Sequence, residues 1–354
     1  MTDEKKTPIE KFKEEVDAAK QHEVDAAIEN LRRQLRRKDN DYNLLRDDFE
    51  QFKQSSSWLD LLARSYVEPK PITRSKKTGT AEGTIIGIAS DWHSLEVVDP
   101  ATVSGLNVYN SKIARESIER FFQGCLAWVD VLRSRIEINT FVLAFLGDLI
   151  TNMFYDDAKE TNEGSPQEEI LFCLDRIISG IRLLKEEGMF DKIIIIGCDG
   201  NHGRDSKEGY SRASTRVKHS YEWLMYKFLE LWYAGDDNVS FDIAQGYHLY
   251  KQIYDVMLRF HHGDKIRYYG GIGGVTIPAN KAILEWNKGR KADLDVMGHW
   301  HKFMNPDLFL ANGSVIGYSA YSIASKVGFE RPQQSLLLID SKRGITSVNR
   351  IYVR

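Results

Sequence analysis

With 354 residues, 42% hydrophobic and 28% charged, the chain has the composition of a soluble globular protein able to bury a sizeable core. The formal net charge of −3 excludes a generally basic nucleic-acid binder, although it leaves room for a local basic patch. Three cysteines without CxxC spacing, Cys125, Cys173 and Cys198, read as buried free thiols in a reducing compartment and exclude a disulfide scaffold.

The N-terminal stretch MTDEKKTPIEKFKEE is charged and lacks the apolar centre of a signal peptide. No apolar run reaches the length of a bilayer span, so a cytoplasmic protein with no membrane partner is expected. Residues 8–65 contain no glycine and a single proline, Pro8. Apolar side chains recur at Val24, Ile28, Leu31, Leu35, Tyr42, Leu45, Phe49 and Phe52 in steps of four and three, which predicts a coiled-coil segment over residues 1–65. Arg32, Arg33, Arg36 and Arg37 precede the acidic Asp47, Asp48 and Glu50, so the segment reads as a homo-oligomerisation helix, or else as an amphipathic helix folded back on its own body. Residues 66–82, with two prolines and several cations, have linker composition.

From residue 83 apolar, β-branched runs at 84–90, 140–147 and 192–198 alternate with helical patterns at 111–135 and 167–187, predicting an α/β core. After residue 238 the pattern turns to short strands: a hairpin or meander over 239–263, then 307–319, 334–341 and 344–354.

Side chains able to hold a metal fall at the C-terminal ends of five predicted strands: Asp91 and His93 in SDWH, Asp148 in GDLI, Asn201 and His202 in GCDGNHGR, His261 and His262 in HHGD, His299 and His301 in GHWH. Strand ends of an open α/β sheet share one rim, so such residues meet in space. In an extended chain residues i and i+2 point the same way, which would let Asp91 act with His93 and His299 with His301, with Trp300 turned away. Carboxylate, amide and imidazole donors together suit Mn²⁺, Fe, Zn²⁺ or Ni²⁺ better than Ca²⁺. Their number suits two divalent ions ~3.5–4 Å apart, an arrangement used in phosphoryl chemistry.

In that order, D-x-H, GD, GNH, HG and GHxH resemble the calcineurin-like metallophosphoesterase superfamily over residues 84 to about 340. GNHGR and the glycine-rich run after HHGD look like its phage-encoded, nuclease-like members. The resemblance implies a four-layer α/β/β/α sandwich of two mixed sheets over residues 83–354. It implies Asp91, His93 and His301 on a first metal, Asn201, His262 and His299 on a second, and Asp148 bridging, with Mn²⁺ the favoured ion. His202 would be the non-ligand histidine near the leaving group, and a metal-bridging hydroxide would attack phosphorus. Arg204 is a candidate phosphate clamp or a plain surface arginine.

The sequence also departs from the family. Gly203 stands where an acidic residue often follows GNH, and Thr151 and Asn152 replace the acid and arginine that follow GD in the protein-phosphatase branch. The acid orienting His202 is therefore unassigned, with Asp199 and Asp205 nearest in sequence. His261 reads as a strand residue facing the other way, and His22, His219 and His248 as ordinary histidines. Insertions at 94–112 and 263–280, the latter with Lys265 and Arg267, would govern substrate choice. The expected activity is phosphodiester hydrolysis on DNA. The alternatives are a phosphatase or cyclic-nucleotide phosphodiesterase, and a non-catalytic scaffold keeping the fold.

Overall fold

The computed structural model describes Ile28, Arg32 and residues 68–74, 81–154, 156–206, 217–267 and 274–354. Ile28 and Arg32 are helical and exposed; the rest of the predicted coiled coil lies outside the described residues. Contacts divide the chain at Arg64, and the unit Ser65–Arg354 carries the fold that follows. Among the described residues no helix is long and apolar enough to cross a membrane.

Elements alternate as the hydrophobic runs predict. In order they are β1 (Glu82–Ala89), α1 (Ser111–Arg133), β2 (Glu137–Phe145), α2 (Asp156–Thr161), α3 (Pro166–Gly188), β3 (Lys192–Gly197), α4 (Tyr221–Trp232), β4 (Val239–Ile243), β5 (Leu249–Ile253) and β6 (Val256–His261). Then follow α5 (Thr276–Asn287), β7 (Leu294–Met297), β8 (Phe309–Ala311), α6 (Ala320–Ala324), β9 (Gln333–Asp340) and β10 (Gly344–Tyr352). The first sheet runs β10-β9-β1-β2-β3-β4 and the second β5-β6-β7-β8. In the first, β1 to β4 are parallel and β9 and β10 antiparallel. In the second, β5 is antiparallel to β6, and β6, β7 and β8 are parallel.

Period-two alternation divides the strands between two cores. Ile85, Phe141, Leu143, Phe145 and Ile195 face α1, α3 and α4. Ile86, Ile88, Val142, Ala144, Ile194 and Ile196 face Leu258, Phe260, Leu294 and Val296 of the second sheet. That sheet's other face, with Met297, Phe309 and Ala311, packs on Ala279 and Ile283 of α5. The layers are thus α/β/β/α. Each long helix starts on a side-chain cap: Asn110 accepts from Ile113 N, and Ser165 forms a capping box with Glu168 ahead of Pro166.

Two expectations need correction. Of the hairpin or meander expected over 239–263, β5 and β6 form a hairpin that reverses at Tyr254, whose φ is 53°, but β4 joins the first sheet while β5 opens the second. Of the strand expected over 307–319 only Phe309–Ala311 forms, and Asn312 onward runs as loop under the site, with Val315 N donating to Asp91 O.

His261 does face away from the rim that carries the motif residues, as expected. Its Nε2 lies 3.1 Å from Asp295 Oδ1, and the same carboxylate takes two bonds from the fully buried Arg259. His248 packs beside it against Trp286, with ring centroids 4.5 Å apart. Burial, with His261 and Arg259 adding to it, lowers the His248 pKa to about 3. The unfolded value is about 6.5, so the stabilising contribution is complete above pH 6.5 and is lost as pH falls toward 3. His248→Leu is expected to gain about 2 kcal/mol on the wild type between pH 7.5 and pH 5 in urea titrations. A pH-independent difference between the two proteins would refute this.

Candidate metal centre

All five motifs follow the strands as predicted and meet at the C-terminal rim. The loops after β1 and β2 continue the parallel register, with Asp91 N donating to Gly147 O and His93 N to Asp148 O. The loops after β6 and β7 are joined by Gly298 N donating to His262 O. Three groups of ligand atoms lie within 4.8 Å of one another: Asp91, His93 and His301; Asp148, His262 and His299; and His93, Asp148 and His202. Asn201 joins the second group, its Oδ1 3.1 Å from His262 Nε2. All seven predicted ligands are therefore brought together.

The local geometry differs from the extended pairs expected. Asp91, His93, Asp148, His299 and His301 all have left-handed backbones, with φ between 48° and 72°. Such conformations cost about 1–3 kcal/mol each for non-glycine residues and persist only where surroundings impose them. The residue between each pair provides such an anchor. Trp92 is fully buried in the core beneath the helices, and Trp300 is buried against α5. A tryptophan burying about 200 Å² contributes ~5 kcal/mol, enough to offset the strain of its two neighbours. The tight turn at Gly147, φ 86°, brings its Cα under the next loop, where a Cβ would lie 2.3 Å from Gly200 N.

Each carboxylate is also held by an amide of a different motif. His299 N donates to Asp91 at 3.0 Å, and His202 N to Asp148 Oδ1 at 2.8 Å. The imidazoles are oriented from behind. His262 Nδ1 lies 2.6 Å from Leu146 O, so it donates, and Nε2 faces Asp148 Oδ2 at 2.9 Å and Asn201 Oδ1 at 3.1 Å. A lone pair at Nε2 would repel both oxygens, so the position requires a proton or a metal cation. Burial opposes the protonated form, but Asp148 overrides it and raises the His262 pKa to about 10. Burial raises and His262 lowers the Asp148 pKa, which ends well below the carboxylate range. His93 and His299 are driven down, chiefly by burial and then by neighbouring histidines, His299 to about 4. His93 Nε2 faces His301 Nε2 at 3.2 Å, and His301 Nε2 lies 3.5 Å from Asp91 Oδ1. Buried, inward-facing imidazole nitrogens among carboxylates are the donor set a borderline divalent cation fits.

His202 is half-buried, with its ring 4.8 Å from that of His93. The partner shown for its Nδ1 is the backbone carbonyl of Thr151, to which it donates at 2.7 Å, and Asp205 pairs with His219. A backbone carbonyl fixes the ring as a carboxylate would, without adding charge, and no side-chain pattern could have announced it. Arg204 is half-buried, with its guanidinium 5.6 Å from the Phe154 ring. Gly274 is described, but Gly270, Gly271 and Gly273 of the predicted glycine loop lie outside the described residues.

Several residues were missed. Asn152 donates to the carbonyls of His202 and Arg204, pinning the GNHGR loop. Thr151 Oγ1 and Glu96 lie beside His93 Nδ1 at 3.3 and 3.6 Å. Two fully buried carboxylates brace the loops from below. Glu169 of α3 accepts from Thr151 N and Asn152 N, both at 2.8 Å, and Glu222 of α4 accepts from Leu149 N and Gly200 N, both at 2.6 Å. Burial raises their pKa values to about 7 and about 8. Both sit in the first turn of a helix, where acidic residues commonly complement the helix dipole, so their type and position carried no distinct signal.

No family model matches the chain, and no curated protein matches it in sequence. Among solved structures it is similar to a single mutant of Vps29 from Entamoeba histolytica, at 12% identity, 75% of this chain, 98% of that one and a TM-score of 0.31. A hypothetical protein from Pyrococcus horikoshii OT3 matches at 11%, 77%, 88% and 0.35. A protein serine/threonine phosphatase from Saccharomyces cerevisiae, described as similar to human phosphatase PP5, matches at 9%, 84%, 87% and 0.30. Similarity at this level shows no function.

Proposed function

We propose that the chain is a metal-dependent phosphoesterase with two divalent ions, and that its substrate is a phosphodiester, most simply DNA. The supporting observation is the His262 arrangement: a ring with its Nδ1 proton committed to Leu146 O points Nε2 at two acceptor oxygens inside a seven-residue donor set. In this reading Asp91, His93 and His301 hold one ion, Asn201, His262 and His299 the other, and Asp148 lies between them. Bound divalent ions supply Lewis-acid activation of water and neutralise charge on the phosphoryl oxygens. Mn²⁺ suits the mixed donors, with Fe, Zn²⁺ and Ni²⁺ as alternatives.

The chain's own residues supply the rest. Because His202 Nδ1 is bound to Thr151 O, its Nε2 is the atom offered to substrate, and a proton there passes to the leaving oxygen as the P–O bond breaks. Asn152 fixes the loop carrying both His202 and Arg204, so the acid and the guanidinium meet the same phosphate. The diester preference is supported by the sequence resemblance and by Thr151 and Asn152 standing where a monoester phosphatase carries an acid and an arginine. Nucleic acid as partner and self-association through residues 1–65 complete the proposal.

The test is a substrate panel with added Mn²⁺: bis-p-nitrophenyl phosphate, p-nitrophenyl phosphate, single- and double-stranded DNA, and cyclic nucleotides. Turnover of the diester and of DNA, abolished by chelation and restored by Mn²⁺, is expected. Activity confined to the monoester would exclude the nuclease, and no turnover with two ions bound would exclude both enzymes.

A further inference from the structure

Glu222 lies outside every motif, yet its side chain joins two of them. Its oxygens accept from Leu149 N, next to Asp148, and from Gly200 N, next to Asn201. The start of α4 is itself stitched to the second loop. Tyr221 N donates to Gly203 O at 2.7 Å, Asp205 N donates to His219 O, and Arg204 bridges Ser220. A leucine would fill the same space without the desolvation that a fully buried carboxylate suffers. What the carboxylate adds is two acceptors at fixed separation.

Gly203 explains how the carboxylate fits. Its backbone is not among the positive-φ positions, so no conformational need selects glycine there. The need is for space: a Cβ at residue 203 would lie 2.8 Å from both Cγ and Oε2 of Glu222. The side chain absent at 203 and the carboxylate arriving from 222 occupy one volume.

We infer that Glu222 is a positioning residue, supplying from α4 the carboxylate that locks the Asp148 loop to the Asn201 loop, in space vacated by Gly203. The metal consequence rests on the phosphoesterase reading; the locking does not. Glu222→Gln presents an NH₂ to one of the two amides. It should speed hydrogen exchange at Leu149 and Gly200, leave the mid-α4 amides unchanged, and raise the Mn²⁺ half-saturation of one ion by about 10–100-fold. Gly203→Asp places a carboxylate one bond beyond the crowded Cβ. Alone it should impair the site through the clash, but combined with Glu222→Ala it should recover at least about tenfold of the lost Mn²⁺ affinity and restore the exchange protection.

Unchanged exchange in Glu222→Gln, or a double variant no better protected than Glu222→Ala, would overturn the inference. Should Glu222→Gln fail to fold, Glu222→Asp carries the same exchange comparison. If the wild type takes up no Mn²⁺, the phosphoesterase reading falls while the exchange data still decide the role of Glu222.

Discussion

Asp148→Asn is expected to lower diester hydrolysis by about 10³-fold or more, a loss of about 4 kcal/mol in transition-state stabilisation. Shape is nearly conserved, so the backbone bond from His202 N to residue 148 can survive. What disappears is the charge. Asp148 is the carboxylate common to two of the three ligand groups, and its Oδ2 lies 2.9 Å from His262 Nε2. An amide there offers one oxygen and one NH₂, so it cannot serve two cations, and the NH₂ would oppose a metal or a proton at His262. Metal analysis of the purified variant should show at least one fewer ion per chain, together with the rate loss. Full activity with full metal content would mean that the residue between the ions is misassigned.

His202→Ala should behave differently. No ligand is lost in the proposed arrangement, so metal content should stay at the wild-type level. The kcat should fall about 10²–10⁴-fold on a substrate with a poor leaving group such as a dinucleotide. On bis-p-nitrophenyl phosphate, whose nitrophenolate departs without a proton, the loss should be much smaller. This contrast separates proton donation at Nε2 from simple phosphate binding, which would depress both substrates alike. Equal losses on the two substrates would remove His202 as the acid.

The legible part of this protein was what periodicity and strand ends encode. The apolar, β-branched runs TIIGIAS, TFVLAFLG and KIIIIGC placed β1, β2 and β3, and the metal-type side chains that follow them converge at one rim. Long-range sheet membership was less legible. Nothing local distinguishes VSFDI, which joins β3 in the first sheet, from LYKQI, which opens the second. The extended D-x-H picture failed because strand geometry ends at Ala89 and Met297, and the ligands sit in left-handed turns anchored by Trp92 and Trp300. The bracing residues were invisible for a different reason. Glu169 and Glu222 act on backbone amides brought near by folding, and an amide leaves no mark in a sequence.

The origin of the ligands has one further consequence. Asp91, His93, Asp148 and Asn201 follow strands of the first sheet, whereas His262, His299 and His301 follow strands of the second. Each proposed ion therefore takes donors from both sheets, and the pair would act as a clasp across one end of the sandwich. Prying the sheets apart would then mean breaking coordination bonds as well as exposing the apolar seam of Ile86, Val142, Leu258 and Val296. In such a molecule every tenfold rise in free metal above its dissociation constant would add about 1.4 kcal/mol against unfolding, and the proposed ions would be structural members of the protein as well.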